Sequence, residues 1–175
     1  MTGAATVTVR PATPDDWQLL RDVRLAALAD APEAFETTVA QARAFDEGHW
    51  RRRAAGSARS QLFLALAGRE AVGMAGVELE DDGAAEIISM WVSPRHRRRG
   101  VARLLMEAAM ARGRAMGASA YRLWTTKHNL PAEELYASLG FRLTDRWQAL
   151  ATARSGCERL WVRDLDRAPE VPGEA

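Results

Sequence analysis

Residues 97–102 read Arg97-Arg98-Arg99-Gly100-Val101-Ala102 and form the most informative motif in the sequence. It follows an apolar strand pattern and opens a helix, so its backbone amides come at a helix N-terminus. Such amides have no intrahelical acceptor, and the helix dipole adds partial positive charge to them. Gly100 allows the backbone to approach a ligand closely, and Ala102 is small enough to keep that approach open. Together with the arginines, the stretch predicts a pyrophosphate site; the alternative interpretation is a solvated basic loop that begins an ordinary helix.

Periodic patterns elsewhere in the chain predict helices and strands on both sides of this loop. An apolar stripe predicts the helix after the loop, formed by Val101, Leu104, Leu105, Ala108, Ala111 and Ala115. Apolar or alternating runs predict strands at 6–10, 61–68, 71–80, 84–92, 119–126, 141–147 and 157–164. Thr13-Pro14 and Asn129 begin two further helices, running to about residues 30 and 139, and another helix is expected near 44–55. The order β-α-α-β-β-β-α-β-α-β-β predicts an α+β fold, a mixed sheet with helices on both faces.

The composition indicates one ordinary globular domain. The chain has 175 residues, of which 47% are hydrophobic and 27% charged. We expect a single domain over 6–166 and a flexible C-terminal tail over 167–175. The net charge of +1 argues against nucleic acid as the main partner. One cysteine excludes an internal disulfide and a paired-cysteine zinc site, so no metal is expected.

The sequence offers no segment for a membrane or for secretion. Its longest clean apolar run is Leu62–Ala67, far too short to cross a bilayer. The first ten residues have no apolar region of the kind found in signal peptides. We therefore expect no membrane partner and a cytoplasmic location.

The motifs, taken in order, resemble those of the GNAT superfamily of acetyl-CoA-dependent N-acetyltransferases, in particular its free-standing bacterial members. Arg97, Gly100 and Ala102 occupy the defined places of that family's acyl-CoA loop, Q/R-x-x-G-x-G/A, with alanine at the third place where glycine also occurs. The run 84–92 followed by Ser93-Pro94 resembles the family's fourth strand. A further run, Asn129-x-x-Ala132-x-x-x-Tyr136-x-x-x-Gly140-Phe141, resembles its fourth helix. The resemblance extends from about Val7 to Asp164 and implies the acyl-CoA N-acyltransferase fold, with a mostly antiparallel sheet of six to seven strands.

This resemblance also implies which residues bind acetyl-CoA. The implied set is Trp91, Val92, Arg97, Arg98, Arg99, Gly100, Val101, Ala102, Asn129 and Tyr136. The backbone amides from Arg97 to Ala102 would hold the pyrophosphate. The amide of Val92 would polarise the thioester carbonyl, although Val92 can equally be an ordinary strand residue. Asn129 is expected to cap its helix, with a hydrogen bond to the pantetheine arm as a second role.

Two residues are candidates for proton transfer. Glu86 is the candidate general base, acting through water, because several GNAT enzymes carry a glutamate six residues before the position of Val92. Strand alternation would put Glu86 and Val92 on one face, unless a bulge intervenes; the alternative is a solvent-facing or salt-bridged glutamate. Tyr136 is the candidate acid that protonates the leaving thiolate, and its alternative is an aromatic side chain packed on the sheet. Tyr121 is expected to be packed.

The predicted function is direct transfer of an acetyl group from acetyl-CoA to a primary amine of a small molecule, such as an amino acid, a polyamine-like amine or an antibiotic. The alternatives are a protein or peptide N-acetyltransferase and an acyl-CoA-binding module without catalysis. A nucleic-acid binder built on the arginine runs at 51–53 and 95–99 conflicts with the balanced charge. We expect residues 33–56 to form part of the acceptor wall, and the resemblance suggests a homodimer.

Overall fold

A computed structural model describes residues 6–149 and 157–165, which form a seven-stranded sheet with helices on both faces. The strands are β1 (Val7–Pro11), β2 (Ser60–Ala67), β3 (Glu70–Leu79), β4 (Ala84–Val92), β5 (Ala120–Thr126), β6 (Arg142–Ala149) and β7 (Cys157–Asp164). Their order is β1-β2-β3-β4-β5-β7-β6. Every neighbouring pair is antiparallel except β4 and β5. The predicted mixed, mostly antiparallel sheet is confirmed, whereas the predicted tail at 167–175 lies outside the described residues.

The helices differ from the sequence prediction mainly before β2. They are α1 (Trp17–Asp30), α2 (Val39–Ala44), α3 (Glu47–Ala55), α4 (Val101–Ala115) and α5 (Leu130–Ser138). Helix α2 was not predicted, although Thr38 and Gln41 form a capping box at its start. The single helix expected near 44–55 is wrong in its start, because Asp46 caps a helix that begins at Glu47. The Thr13-Pro14 signal starts a 3₁₀ turn at Pro14–Asp16, and α1 follows it.

Two clusters of buried side chains lie on opposite faces of the sheet. Helices α4 and α5 contribute to the cluster on one face, and α1, α2 and α3 contribute to the cluster on the other. We call these the α4 face and the α1 face. The predicted apolar stripe of α4 is partly wrong: the buried residues are Val101, Leu105, Met106, Ala109 and Gly113. Leu104 is 43% exposed. The helix instead contacts the sheet at Gly113, where a Cβ would come within 2.9 Å of Tyr121.

Strand β4 contains a bulge that changes which side chains share a face. Gly76 pairs with Ile88 and Met74 pairs with Trp91, so β4 carries one residue more than β3 over this interval. Ser89 lies in the bulge with a φ of 55°. An extra residue reverses the alternation beyond it, so Val92 packs on the α4 face, together with the residues that flank Glu86 in sequence. The expectation that Glu86 and Val92 share a face is therefore wrong.

The parallel pair β4–β5 opens towards the end of both strands. Its paired residues run from Ala84–Ala120 to Ile87–Leu123 and go no further. Both strands continue beyond that point, β4 to Val92 and β5 to Thr126. The sheet therefore has a gap between the C-terminal halves of β4 and β5, with α4 beginning shortly after one strand and α5 after the other.

Candidate active site

A cavity of about 390 Å³ lies at this gap and takes its walls from both faces of the sheet. From the α4 face it is lined by Ile87, Leu123 and Tyr136. From the α1 face it is lined by residues that include Arg24 and Phe35. Because the lining combines both faces, the cavity passes through the sheet where β4 and β5 have separated.

The loop between β4 and α4 presents a row of unpaired amides. Within the described residues, the backbone N–H groups of 98–103 donate to no protein acceptor, and the first bond of α4 runs from Leu104 N to Gly100 O at 3.1 Å. Arg98 and Gly100 have φ angles of 60° and 79°. A Cβ at Gly100 would meet nothing within 4 Å, so the backbone angle, not lack of space, favours glycine there. These outward donors suit an oxyanion such as a pyrophosphate.

Arg97 holds this loop to the rest of the domain. Its Nε donates to the carbonyl of Val92 at 2.9 Å, and its guanidinium forms an ion pair with Asp30 at the end of α1. The indole Nε1 of Trp91 donates to the same carboxylate at 2.9 Å. Burial alone would raise the pKa of Asp30, but the hydrogen bonds from Trp91 and Arg97 outweigh it and lower the pKa below its usual value.

The side chains of Arg97 and Trp91, both expected to bind acetyl-CoA, are thus engaged with Asp30 in these contacts. The amide of Arg97 donates to Pro94 O at 3.4 Å, so the free amides begin at Arg98. Arg98 and Arg99 are exposed beside those amides, and Arg98 lies 3.6 Å from Glu134 on α5. Sequence reasoning missed Asp30 because its contact with Arg97 spans 67 residues and has no local pattern.

The backbone of Val92 faces the gap. Val92 is opposite Gly73 in the antiparallel pair, and Ser93 N donates to Val72 O at 2.8 Å. In this pattern the N–H and C=O of Val92 point away from β3, to the side on which β5 has parted from the sheet. The carbonyl accepts the bond from Arg97, which leaves the amide directed to the gap. The predicted oxyanion role of the Val92 amide is consistent with this orientation.

Glu86 lines the cavity and is also an ion-pair partner. Arg122, its neighbour on β5, donates from Nε to the Glu86 carboxylate at 2.9 Å, while another nitrogen of Arg122 contacts Asp82 at 2.7 Å. Burial raises the pKa of Glu86 and prevails over Arg122, which lowers it. Glu86 therefore combines both interpretations of the sequence, a salt-bridged strand residue and a carboxylate at the cavity.

Tyr136 reaches the cavity from α5. Its ring packs with centroid distances of 6.1 Å to Phe141 and 6.2 Å to Trp161. Its hydroxyl makes no hydrogen bond to the part of the chain that the structure describes, and burial raises its pKa. The other tyrosine, Tyr121, donates to Met110 O at 2.5 Å beneath α4, as its predicted packing role requires.

Asn129 precedes α5 and also borders the cavity. Its side-chain oxygen accepts from Ala132 N at 3.4 Å, which confirms the predicted cap. Capping fixes the first turn of α5 and so helps to place Tyr136 on the next turns. The predicted bond from Asn129 to the pantetheine arm stays a prediction.

Two further cavity residues, Arg24 and Glu158, were not singled out from the sequence. Arg24 lies on α1. Glu158 lies on β7 opposite Thr126 of β5, and it accepts from Gln148 Nε2 at 3.1 Å. Burial raises the pKa of Glu158, and the charges of Glu36 and Glu86 add to the effect. No local motif marks either residue, because only the packing of α1 and the pairing of β7 with β5 bring them here.

The sequence comparison decides the family. Residues 24–141, well over half of the 175-residue chain, match the sequence profile of the acetyltransferase (GNAT) family. The chain belongs to the GNAT acetyltransferase family. This GNAT protein is accordingly an acetyl-CoA-dependent acetyltransferase, which binds acetyl-CoA and an acceptor. No curated protein sequence matches it.

Solved structures of GNAT proteins share the fold at low sequence identity. An acetyltransferase of the GNAT family from Streptococcus pneumoniae is 16% identical with a TM-score of 0.75, covering 91% of this chain and 99% of the other. The ribosomal-protein-S18-alanine N-acetyltransferase of Escherichia coli is 17% identical with a TM-score of 0.68, covering 94% and 97%. The GNAT domain of S. lividans PAT is 18% identical with a TM-score of 0.73, covering 91% of this chain and 90% of the other.

Residues 6–149 and 157–165 contain no cluster of histidine, cysteine or acidic side chains that could hold a metal ion. Among the helices of the same ranges, none has the length and hydrophobicity needed to span a membrane.

Proposed function

We propose that this GNAT protein transfers the acetyl group of acetyl-CoA directly to the primary amine of a small molecule. The observation that carries the proposal is the cavity through the sheet, which has Glu86 and Tyr136 on one continuous lining. Its volume of about 390 Å³ lies within the range of small-molecule sites. A carboxylate and a tyrosine hydroxyl on the same cavity supply a base and an acid for one transfer reaction.

The backbone amides that have no acceptor in the protein indicate which residues would bind acetyl-CoA. The amides of 98–103 would hold the pyrophosphate of acetyl-CoA, with Arg98 and Arg99 adding positive charge beside it. The amide of Val92 would donate to the thioester oxygen, where negative charge develops during attack. Arg97 would act as a positioning residue, because it fixes the carbonyl of Val92 and the start of the loop to α1 through Asp30.

The proposed reaction moves two protons and one acyl group. An alkylammonium has a pKa of about 10.4, so the acceptor must lose a proton before its nitrogen can attack. Glu86 would take that proton through water, and its raised pKa makes it a stronger base than an ordinary glutamate. The nitrogen lone pair then forms the new C–N bond, the C–S bond breaks, and its electron pair leaves on sulfur.

Tyr136 would donate its proton to that sulfur and recover one that the acylated nitrogen releases. Its raised pKa keeps the hydroxyl protonated and ready to donate. The hydroxyl is also free to do so, since no hydrogen bond to a described residue holds it. The net reaction converts an ammonium and a thioester into an amide, a free thiol and one proton released to solvent.

The proposal can be tested by thiol release from acetyl-CoA with a panel of acceptors. The panel contains amino acids, polyamines and amine antibiotics, together with peptides that carry a free N-terminus or a lysine. We expect transfer to small amines. Transfer to peptides alone would instead support a protein or peptide acetyltransferase, such as the ribosomal-protein-S18-alanine N-acetyltransferase of E. coli.

A binding measurement separates a failed reaction from a failed cofactor site. Acetyl-CoA at 100 times its dissociation constant adds about 2.7 kcal/mol of stability, which raises Tm by roughly 5–10 °C for a chain of this size. A shift without thiol release for any acceptor would indicate an acyl-CoA-binding module. Tyr136→Phe should lower kcat about 100-fold, whereas Tyr121→Phe, which removes the only other tyrosine hydroxyl, should retain activity.

A further inference from the structure

Arg24 is a cavity arginine that lacks an acidic partner. Its guanidinium lies 4.6 Å from the centroid of the Phe35 ring, and one of its nitrogens donates to the Ser89 hydroxyl at 3.3 Å. No carboxylate among residues 6–149 and 157–165 comes within ion-pair distance of Arg24, or of Arg53, which lines the same cavity from α3. Two positive side chains therefore face the cavity, and neither has an ion-pair partner among the described residues.

Arg24 is half-buried, so the lack of a carboxylate partner matters more than it would at the surface. Arg10 and Arg97 are more accessible, and each of these two reaches a carboxylate. Burial and the nearby charge of Arg53 lower the pKa of Arg24 to about 10, so the group is still cationic at neutral pH. A cation that is removed from water without an opposite charge costs free energy in the folded state. That cost is recovered when a ligand supplies the anion.

The bulge in β4 serves to hold this cation at the cavity. Ser89 has a φ of 55°, a strained value for a residue other than glycine, and its hydroxyl accepts from Arg24. The ring of Phe35 lies against the guanidinium from the segment before α2. Both contacts orient Arg24 and neither neutralises it, which is the arrangement expected of a site prepared for an anion.

The rest of the cavity has the opposite charge. The carboxylates of its lining belong to Glu36, Glu78, Glu86 on β4 and Glu158 on β7, and the charges of Glu36 and Glu86 add to burial in raising the pKa of Glu158. Glu86 is paired with Arg122, whereas Glu158 accepts only from the neutral Gln148 among the described residues. The lining therefore offers cations from α1 and α3 and carboxylates from the sheet to the same ligand.

We propose that Arg24, with Arg53 beside it, binds an anionic group of the acceptor, so that the acceptor is a zwitterion of the amino-acid class whose amine faces Glu86 and Glu158. A carboxylate can accept two hydrogen bonds from one guanidinium, which fixes its orientation as well as its charge. The ammonium end is attracted to the carboxylates, one of which is the proposed base. This inference rests on the proposed function and names the acceptor class for the same site.

The test compares three forms of each acceptor: an L-amino acid, its α-carboxamide, and the amine that lacks the carboxyl group. Thiol release from acetyl-CoA is measured with the wild type, Arg24→Met, Arg24→Lys and Arg53→Gln. We expect the amino acid to be preferred by the wild type. Arg24→Met should raise its KM by about 10- to 100-fold, the loss of a charge-assisted hydrogen bond, with little change for the amide. Arg24→Lys should bring the KM part of the way back, because lysine restores the positive charge but not the paired donors of the planar guanidinium.

Two controls and one stability measurement exclude a general effect on folding. Arg21→Gln on α1 and Arg52→Gln on α3 remove neighbouring arginines that do not line the cavity, and both should leave the kinetics unchanged. Arg24→Met should not lower Tm, since it removes a half-buried charge that has no ion-pair partner and replaces it with an unbranched apolar side chain. The KM for acetyl-CoA should stay the same in every variant.

The outcomes distinguish this inference from the proposed function. Acetylation of amides or decarboxylated amines as efficiently as amino acids, or an equal loss for all three in Arg24→Met, would overturn the anion site and leave small-amine transfer in place. A fall in Tm for Arg24→Met with no preference for the carboxylate would assign Arg24 a structural role. Thiol release with none of the amines would overturn the proposed function itself.

Discussion

Replacing Gly100 with aspartate and with asparagine isolates the charge at the proposed pyrophosphate site. The two side chains have nearly the same shape, and both residues tolerate the left-handed φ of 79° better than other residues with a Cβ. A Cβ at this position meets nothing within 4 Å, so neither variant causes a steric conflict in the free protein. The pair therefore differs by one negative charge beside the unpaired amides of 98–103.

The size of the effect follows from Coulomb's law. A carboxylate about 5 Å from a phosphate charge is repelled by roughly 1–3 kcal/mol when the effective dielectric constant lies between about 80 and 20. This energy corresponds to a dissociation constant for acetyl-CoA that is roughly 5- to 150-fold higher for Gly100→Asp than for Gly100→Asn. The difference should shrink as salt is added, since the site is exposed and screened.

The stability of the free protein should change differently from binding. Each substitution gives up the glycine at a left-handed position, at a cost of about 1 kcal/mol or a few degrees of Tm. Aspartate partly offsets that cost because a negative charge is favourable at a helix N-terminus. Calorimetric titration with acetyl-CoA and thermal unfolding measure the two quantities separately. Equal affinity of the Asp and Asn variants for acetyl-CoA would refute the placement of a ligand phosphate at the start of α4.

Three further predictions concern packing and pH. Gly113→Ala should lower the free energy of unfolding in urea by about 1–3 kcal/mol, because its Cβ would come within 2.9 Å of Cε1 of Tyr121. The acid limb of kcat/KM should have an apparent pKa above 4.5, since Glu86 must be ionised to act and its pKa is raised; activity falls as pH falls through that value. Hydrogen bonds from Arg10 chiefly hold the pKa of Asp16 below that of the unfolded chain, so this contribution to stability is present above about pH 4 and is lost on further acidification.

Each of these predictions has a control. Gly48→Ala, in the first turn of α3 where the Cβ meets the flexible Arg52 side chain at 3.2 Å, should not be destabilising, and a loss as large as that of Gly113→Ala would contradict the packing argument. Glu86→Gln should remove the acid limb, and an unchanged profile would exclude Glu86 as the base. Asp16→Asn should flatten the fall in stability between about pH 4 and pH 2, measured by urea unfolding.

The sequence predicted the parts of the fold that depend on local patterns. The bounds of β4 and β7 were predicted correctly, because continuous apolar or alternating runs are ended by strong turn signals. The loop proposed to hold the pyrophosphate was predicted from its charge and its glycine at a helix start, and the structure gives that glycine a left-handed φ. Helix α2 was missed because six residues carry too little periodicity to indicate a helix, despite the capping box.

In the candidate site too, residues in local motifs were predicted, whereas residues placed by distant contacts were not. Asn129 and Tyr136 were identified by motif, and they lie at the cavity because the cap and the helix that follow a strand form a local unit. The shared face of Glu86 and Val92 was predicted wrongly, because a bulge depends on how β3 and β4 match and not on the sequence of β4 alone. Asp30, Arg24 and Glu158 carry no motif, and each acquires its role through a partner distant in sequence.

Motifs and periodic patterns in the sequence were sufficient to indicate the family, the seven strands and a glycine turn at the start of α4, since each of these depends on residues that are close together in the chain. The gap between β4 and β5, the cavity through it and the charges that face one another across that cavity depend instead on the tertiary structure. The physical reason is that a cavity and its electrostatics arise from the packing of α1, α3, β4 and β7, whose contacts are stabilised by the whole core. The unpaired Arg24 is one result, because its lack of an acidic partner can be seen only when every neighbour is in place.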